Sequence, residues 1–286
     1  MLSRKSYIFN KSPKFTIPKN NKKRPAFIIY AMKKASEIDV ARSELNYIIQ
    51  PKNPKTGVPI KRKRRLNEHR ASAMRAMVNA MLYHYNVVSE IVQASVEQLS
   101  DECGLSTISA NGNKSISRAS RLITEFMEPM GFVISHKMWD KIIGNYMPKL
   151  IILTPLFFKL FGISEDKINN AKKQQLGWIN KNLIKKGIKP MSLVEAKWKS
   201  KEIRLNSILK YRKSQHIFNI RKKKAQKIFS LDEKIAKQQI LKSIVERYSL
   251  QELSEMGLNG LRKKVNVQYY CLKKIALKHY SKNIFK

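Results

Sequence analysis

The sequence predicts an α+β, mainly helical protein in which a winged helix-turn-helix domain is followed by a basic helical C-terminal region. Three observations carry this. Residues 95–153 read in order as helix, turn, helix, strand, hairpin turn and strand, the sequence form of a helix-turn-helix with a β-hairpin wing. Beyond them, helix-start signals recur along the rest of the chain, the first two helices stopped at Gly162 and Gly187. The net charge is +38, from 58 basic and 20 acidic residues among 286. Such an excess repels itself unless it meets a polyanion, so nucleic acid is the expected partner.

The hydrophobic fraction, 43%, suffices for a packed core. Cys103 and Cys271 lie far apart and form no metal pattern, as expected of reduced thiols in a cytoplasm. The longest apolar run, residues 150–161, is broken by Thr154-Pro155 and Lys159 and falls short of the roughly 20 residues that span a bilayer. No membrane partner is expected. Between Lys61 and Arg121 stand seven Arg and three Lys; outside that window stand eight Arg and 40 Lys. Arginine's planar fork grips phosphate and guanine edges bidentately, so the contrast marks 61–121 as the stretch where geometry matters.

Residues 1–25 read as a basic extended arm docked by Phe9 and Phe15, or as a solvated tail. From Pro25 the pattern is helical, with Phe27, Ile28, Ala31 and Met32 on one face; Tyr47, Ile48 and Ile49 suggest a strand, and Pro51, Pro54, Gly57 and Pro59 a loop. Residues 61–86 form the strongest helix, with Leu66, Ala73, Met74, Met77, Val78, Met81, Leu82 and Tyr85 on one stripe. Its first turns hold Lys61, Arg62, Lys63, Arg64 and Arg65. Cations there oppose the helix dipole, which points to bound phosphate.

Ile91–Gln93 suggests a short strand. Ser95 with Gln98 opens the next helix, Val96, Leu99 and Cys103 face inward, and Gly104 ends it. A second helix starts near Ser115. Ile116, Ala119, Leu122, Ile123, Phe126 and Met130 make its buried face, and Ser117, Arg118, Arg121 and Thr124 the opposite one. Arg118 and Arg121, three apart, are expected to project together among small polar neighbours, as base readout requires. An ordinary amphipathic helix with a solvated basic face would look similar. Pro129 removes a backbone donor near the helix end. Residues 132–137 and 146–153 pattern as strands joined through Gly144-Asn145. Lys114 beside the helix, and Lys137, Lys141 and Lys149 on the wing, are candidate phosphate contacts; Trp139 either packs beneath the wing or wedges at the DNA surface.

Thr154-Pro155 caps a short helix stopped at Gly162. Ser164 opens a helix to Lys186, Ser192 with Glu195 a long basic one to about Phe229, and Ser230 with Glu233 and Ser249 with Glu252 two more. Lysine clusters such as residues 222–224 suit sequence-blind phosphate binding. The expected divisions are an arm (1–25), the winged-helix domain (26–162), a connecting helix (163–190) and the C-terminal region (191–286).

No chemistry is legible beside this. Residues 111–115, NGNKS, lack the glycine spacing of a phosphate-cradling loop, so ATP-driven unwinding is not expected. No His-apolar-His pair accompanies a candidate tyrosine, the five His lack metal-ligand spacing, and no carboxylate cluster is placed for Mg²⁺. A binder is expected, not an enzyme, with no cofactor.

Several motifs resemble the RepA replication initiators of IncFII-type plasmids. They are the opening around Asn10–Pro18; His84-Tyr85; Cys103-Gly104-Leu105-Ser106-Thr107; Ser115-Ile116-Ser117-Arg118-Ala119-Ser120-Arg121; Asp140, Gly144, Tyr146 and Pro148; Trp178, Asn180 and Lys181; and Ala196-Lys197-Trp198. The likeness extends to about residue 200, and Pro129 departs from it. It implies a non-enzymatic, cytoplasmic initiator that binds double-stranded DNA at a plasmid replication origin, helps open it, and recruits host proteins such as DnaA and the replicative helicase. A homodimer is a further expected partner state. A winged-helix transcription regulator and a basic RNA-binding protein are the alternatives. The groove-entry helix argues against the last, since the deep, narrow groove of A-form RNA excludes it.

Overall fold

A computed structural model of the chain describes residues 10–18, 23–62, 64–109, 113–136, 139–140, 144–146 and 150–284. Contacts divide the chain into two units, Met1–Ile208 and Leu209–Lys286.

In the first unit, α1 (Ala26–Glu37) and a short α2 (Leu45–Ile48) precede α3 (Glu68–Tyr83), and α1 packs on α3. α3 is buried on almost every turn, through Ala71, Met74, Met77, Val78, Met81 and Leu82. Its alanines let neighbouring backbones approach, and its methionines fill irregular space between them. The helix does not begin at Lys61. Asn67 caps it, its side chain accepting the Arg70 amide at 2.9 Å, and Glu68 in the first turn complements the dipole. Lys61, Arg62, Arg64 and Arg65 precede the helix in irregular backbone, so the dipole argument for bound phosphate does not apply to them. The strand expected around Tyr47 is also replaced, by α2. The Asn46 side chain is buried and donates to the Val40 carbonyl at 2.9 Å, which fixes a tight turn against the β-branched pattern.

α3 ends at His84 and leads into a hairpin of β1 (Tyr85–Asn86) and β2 (Ile91–Val92). Ser95 caps α4 (Val96–Glu102), accepting the Gln98 amide at 3.1 Å, and Gly104 turns the chain out at φ +65°. The turn between the two expected helices is a small ladder, β3 (Thr107–Ile108) on β4 (Lys114–Ser115). α5 (Ser117–Leu122) follows and widens into a π-helical turn over Ile123–Met127. Just beyond it, the Pro129 carbonyl accepts the Lys52 amide at 2.8 Å, and Gly131 reverses the chain at φ +74°. α3, α4 and α5 pack on one another.

β5 (Val133–His136) pairs antiparallel with β8 (Leu150–Leu153) in the register Val133↔Leu153 to His136↔Leu150. Between them in sequence, β6 (Trp139–Asp140) pairs with β7 (Asn145–Tyr146). The main sheet has the order β1-β2-β8-β5, joined by Ile91↔Ile152. Thr154 caps α6 (Pro155–Lys159) as expected. Its Phe157 and Phe158, with Phe161 just beyond it, lock into the core with Phe132, and the Phe158 ring lies 5.2 Å from that of Tyr85. α7 (Glu165–Ile184) and α8 (Leu193–Phe229) follow, α8 opening on the expected Ser192/Glu195 box with bonds of 2.7 and 3.2 Å.

The second unit packs the end of α8, α9 (Glu233–Val245) and α10 (Leu250–Ile284) around Ile228, Ala236, Ile240, Ile244, Val265 and Tyr269. Ser249 and Glu252 form their box. Ser230 does not: Asp232 holds the cap position of α9, and the Ser230 hydroxyl donates back to Lys227. Gly257 kinks α10 at φ +58°. Among the described residues no helix is long and apolar enough to cross a membrane.

Candidate nucleic-acid interface

α5 buries Ala119 and Leu122, and the π-helical turn buries Ile123, Phe126 and Met127. This leaves Ser117 and Arg121 exposed on the opposite side, Arg121 with 70% of its side chain accessible. Ser117 shares a hydrogen bond with Ser115, Oγ to Oγ at 2.8 Å. Thr124 is half-buried and donates to the Ser120 carbonyl at 2.9 Å. Arg118 does not emerge beside Arg121. Its guanidinium donates through Nη1 to the Asn10 carbonyl at 2.6 Å and through Nη2 to the His69 carbonyl at 3.0 Å. Burial holds its pKa below the usual arginine value. Three residues turn a helix by about 300°, so the two side chains flank the helix crest, and one flank is covered by the N-terminal arm.

That arm is seated by more than Arg118. The Asn10 amide donates to the Gly104 carbonyl at 3.1 Å, the Thr16 amide donates to the Glu102 carbonyl at 2.9 Å, and the Phe15 ring lies 5.4 Å from that of Tyr83. The extended arm expected from sequence is therefore docked through Phe15; Phe9 lies outside the described residues.

Much of the arginine concentration in 61–121 serves the fold. Arg75 binds Asp39 at 2.7 Å and Glu68 at 2.5 Å, and these bonds raise its pKa. Arg70 pairs with Glu125. Arg62, expected to hold phosphate, is a brace. It donates to the Asn46 carbonyl at 3.0 Å and lies 4.8 Å from the Phe126 ring centroid, and burial lowers its pKa. Lys114, a second candidate for phosphate, ties β4 to α4 through Glu97 at 2.9 Å and Asp101 at 2.5 Å. Lys61, Arg64 and Arg65 are exposed, and none forms an ion pair among the described residues. Lys63, Lys137, Lys141 and Lys149 lie outside the described residues. Trp139 stands exposed on β6.

The structure brings two of the expected groups together. A hollow of about 680 Å³ is lined by Lys61, Arg64, Arg65, Arg70 and Glu125 among others. Glu125 also reaches Arg121, 3.8 Å away. Arg70 of α3 and the exposed Arg121 therefore share one carboxylate at the edge of the hollow that the basic segment lines. Sequence reading passed over Glu125, although its four-residue spacing from Arg121 was a usable signal. Away from this surface, Cys103 is buried, and its thiol is pushed up to about 12 by burial, as suits a core side chain. His84 pairs with Glu102 at 2.7 Å, yet burial outweighs that carboxylate and lowers its pKa. No group of three His, Cys, Asp or Glu among the described residues could hold a metal ion.

The family model of the IncFII RepA protein family matches residues 3–277. The chain belongs to that family. Among its relatives are two proteins named probable replication-associated protein repA1, both from Buchnera aphidicola. The one from subspecies Schizaphis graminum is 65% identical over 99% of this chain and 100% of its own length. The one from subspecies Cinara cedri is 55% identical over 96% and 98%. A protein of Escherichia coli named replication initiation protein is 33% identical over 44% of each chain. No solved structure matches.

For this RepA-family chain, the motif at residues 103–107 has a structural task. Gly104 turns at φ +65°, a conformation that favours glycine, and a Cβ there would stand 2.7 Å from the Asn10 side-chain nitrogen, so the Asn10 amide would have to shift from its seat. The motif Ser115–Arg121 places Arg118 to hold the same arm from the other side. The RepA-like residues Asn10, Gly104 and Arg118 thus meet at one seat.

Proposed function

We propose that this chain is a plasmid replication initiator that binds its origin duplex through a winged helix, helps open it, and recruits host replication proteins such as DnaA and the replicative helicase. α5 is the helix offered to the major groove, with Ser117 and Arg121 toward the bases and Thr124 shaping the helix at its edge. Lys61, Arg64 and Arg65 hold backbone phosphates, and the hairpin of β5 to β8 is the wing, with Lys137, Lys141 and Lys149 as its phosphate contacts. Arg118 acts in this scheme by fixing the arm, not by reading bases. The observation that carries the reading is the shared hollow, lined by Lys61, Arg64, Arg65 and Arg70 together with Glu125, whose carboxylate pairs with Arg70 and reaches the exposed Arg121. The net charge of +38 and the names of the relatives point the same way.

Arg121→Ala is expected to cost about 1–3 kcal/mol of binding to the origin duplex and less on random duplex. Fluorescence anisotropy on the two duplexes measures this. Equal losses on both would remove base readout from Arg121. Replacing Arg64 and Arg65 together by Ala should weaken both duplexes alike and flatten the salt dependence by about two phosphate contacts. A salt slope equal to that of the parent protein would show that these side chains meet no phosphate.

A further inference from the structure

A second hollow, of about 500 Å³, opens on the α2 side of the basic segment. Its lining mixes two kinds of surface. Tyr47 is 43% exposed and Ile48 73% exposed, with Ile60 beside them; Lys61, Arg64 and Arg65 supply the charge. The Arg65 guanidinium lies 4.9 Å from the Tyr47 ring centroid. Arg62 gives the hollow a fixed floor, since its bond to the Asn46 carbonyl pins the basic segment to α2. Bare phosphate would need the cations alone and gains nothing from exposed Tyr and Ile. An apolar protein partner would be poorly matched to three exposed cations that form no ion pair among the described residues. A flat, weakly polar ring joined to a phosphate satisfies both halves: an aromatic face carrying a guanidinium is a platform on which nucleobases stack, and the neighbouring cations meet the phosphate. In a duplex the bases are stacked on each other and offer no free face.

We propose that this hollow binds an unpaired nucleotide of a single strand, its base against Tyr47 and Arg65 and its phosphate toward Arg64 and Lys61. The inference deepens the proposed duplex-binding role, because the same basic segment would then meet paired DNA on one side and an opened strand on the other.

The test uses the full chain and a short oligothymidylate labelled for anisotropy, with an oligouridylate and free thymidine monophosphate as further arms. Tyr47→Leu keeps the apolar bulk and removes the ring; it is expected to weaken oligothymidylate binding about tenfold while changing duplex affinity less than twofold. Tyr47→Phe, which keeps the ring, is expected to bind as the parent protein does. Independently of any variant, a 2-aminopurine base within the oligonucleotide is expected to change its fluorescence as the parent protein stacks on it. Equal oligonucleotide binding by Tyr47→Leu and the parent, or no fluorescence change, would overturn the proposal. So would free thymidine monophosphate competing as well as the oligonucleotide, since the occupant would then be a free nucleotide. Oligouridylate binding as tightly as oligothymidylate supports a single-strand site without sugar selection. Arg121→Ala is scored on the duplexes, so failure of base readout and failure of the single-strand site are told apart.

Discussion

Replacing Glu90 by Ala is expected to lower the stability of the N-terminal unit by about 3 kcal/mol. Glu90 ends the β1–β2 turn, and its carboxylate binds Lys172 of α7 at 2.6 Å and also Lys197 of α8. Both members of the Lys172 pair are largely covered, at 14% and 20% exposure, so removing the carboxylate strands a buried ammonium group. Glu90 also sits at φ +62°, a conformation costly to any side chain with a Cβ. Glu90→Gly relieves that strain while losing the same pairs, and is expected to be about 1 kcal/mol less damaging than Glu90→Ala. Urea unfolding followed by tryptophan fluorescence measures both, since Trp139, Trp178 and Trp198 all lie within residues 1–208.

The pH dependence has a definite sign. Burial alone would raise the pKa of Glu90, but the hydrogen bonds and charges of Lys172 and Lys197 outweigh it and hold the carboxyl below the usual range. The unfolded chain therefore binds this proton more readily than the folded one. The stabilisation is complete above the unfolded value, about 4.3, and fades as pH falls through the lower folded value. The gap between the parent protein and Glu90→Ala should be full at neutral pH and close in acid. A gap that stays constant into acid would mean the carboxylate charge is not what stabilises the turn.

Arg118→Ala is expected to cost about 2–3 kcal/mol and to free the N-terminal arm. Two charge-assisted bonds, to the Asn10 and His69 carbonyls, are lost, and the arm's remaining seat is the Gly104 contact and the Phe15–Tyr83 pair. Arg118→Lys should rescue little, because a single ammonium group cannot reproduce a fork that spans two carbonyls. Limited trypsin digestion reads the arm directly: cleavage after Lys11 or Lys14 should accelerate in both variants. Unchanged cleavage rates would show that the arm is held without Arg118.

The readable parts of this fold were the local ones. Ser95, Thr154, Ser192 with Glu195, and Ser249 with Glu252 are helix starts whose hydrogen bonds close within three residues, so short-range chemistry decides them. The pairing of β5 with β8 follows from two nearby apolar runs, 132–137 and 146–153, although the start of the second run, Tyr146, pairs with Trp139 in a separate ladder. The unreadable parts were decided from afar. The start of α3 was marked locally by Asn67, whose cap closes within three residues, and by Glu68 in the first turn; what no local signal shows is that the basic segment before it is held irregular by Arg62 reaching Asn46 and Phe126. The β-branched look of residues 47–49 yields to a buried amide bond from Asn46. The spacing of Arg118 and Arg121 put them near one face, but which of them meets solvent depends on an arm more than a hundred residues upstream. The arginine concentration in 61–121 suggested forks aimed at phosphate and guanine edges. For Arg62, Arg70, Arg75 and Arg118 the partners are the protein's own.

In the proposed complex the exposed side of α5 lies against base edges while Arg118 stays within the protein. Photo-crosslinking measures this most directly, with a short-range crosslinker at Ser117 in the full-length chain bound to its origin duplex. Adducts are expected on bases at a defined position in the major groove, and they should be lost when random duplex replaces the origin. Adducts confined to sugar and phosphate, or the same pattern on any duplex, would contradict this arrangement.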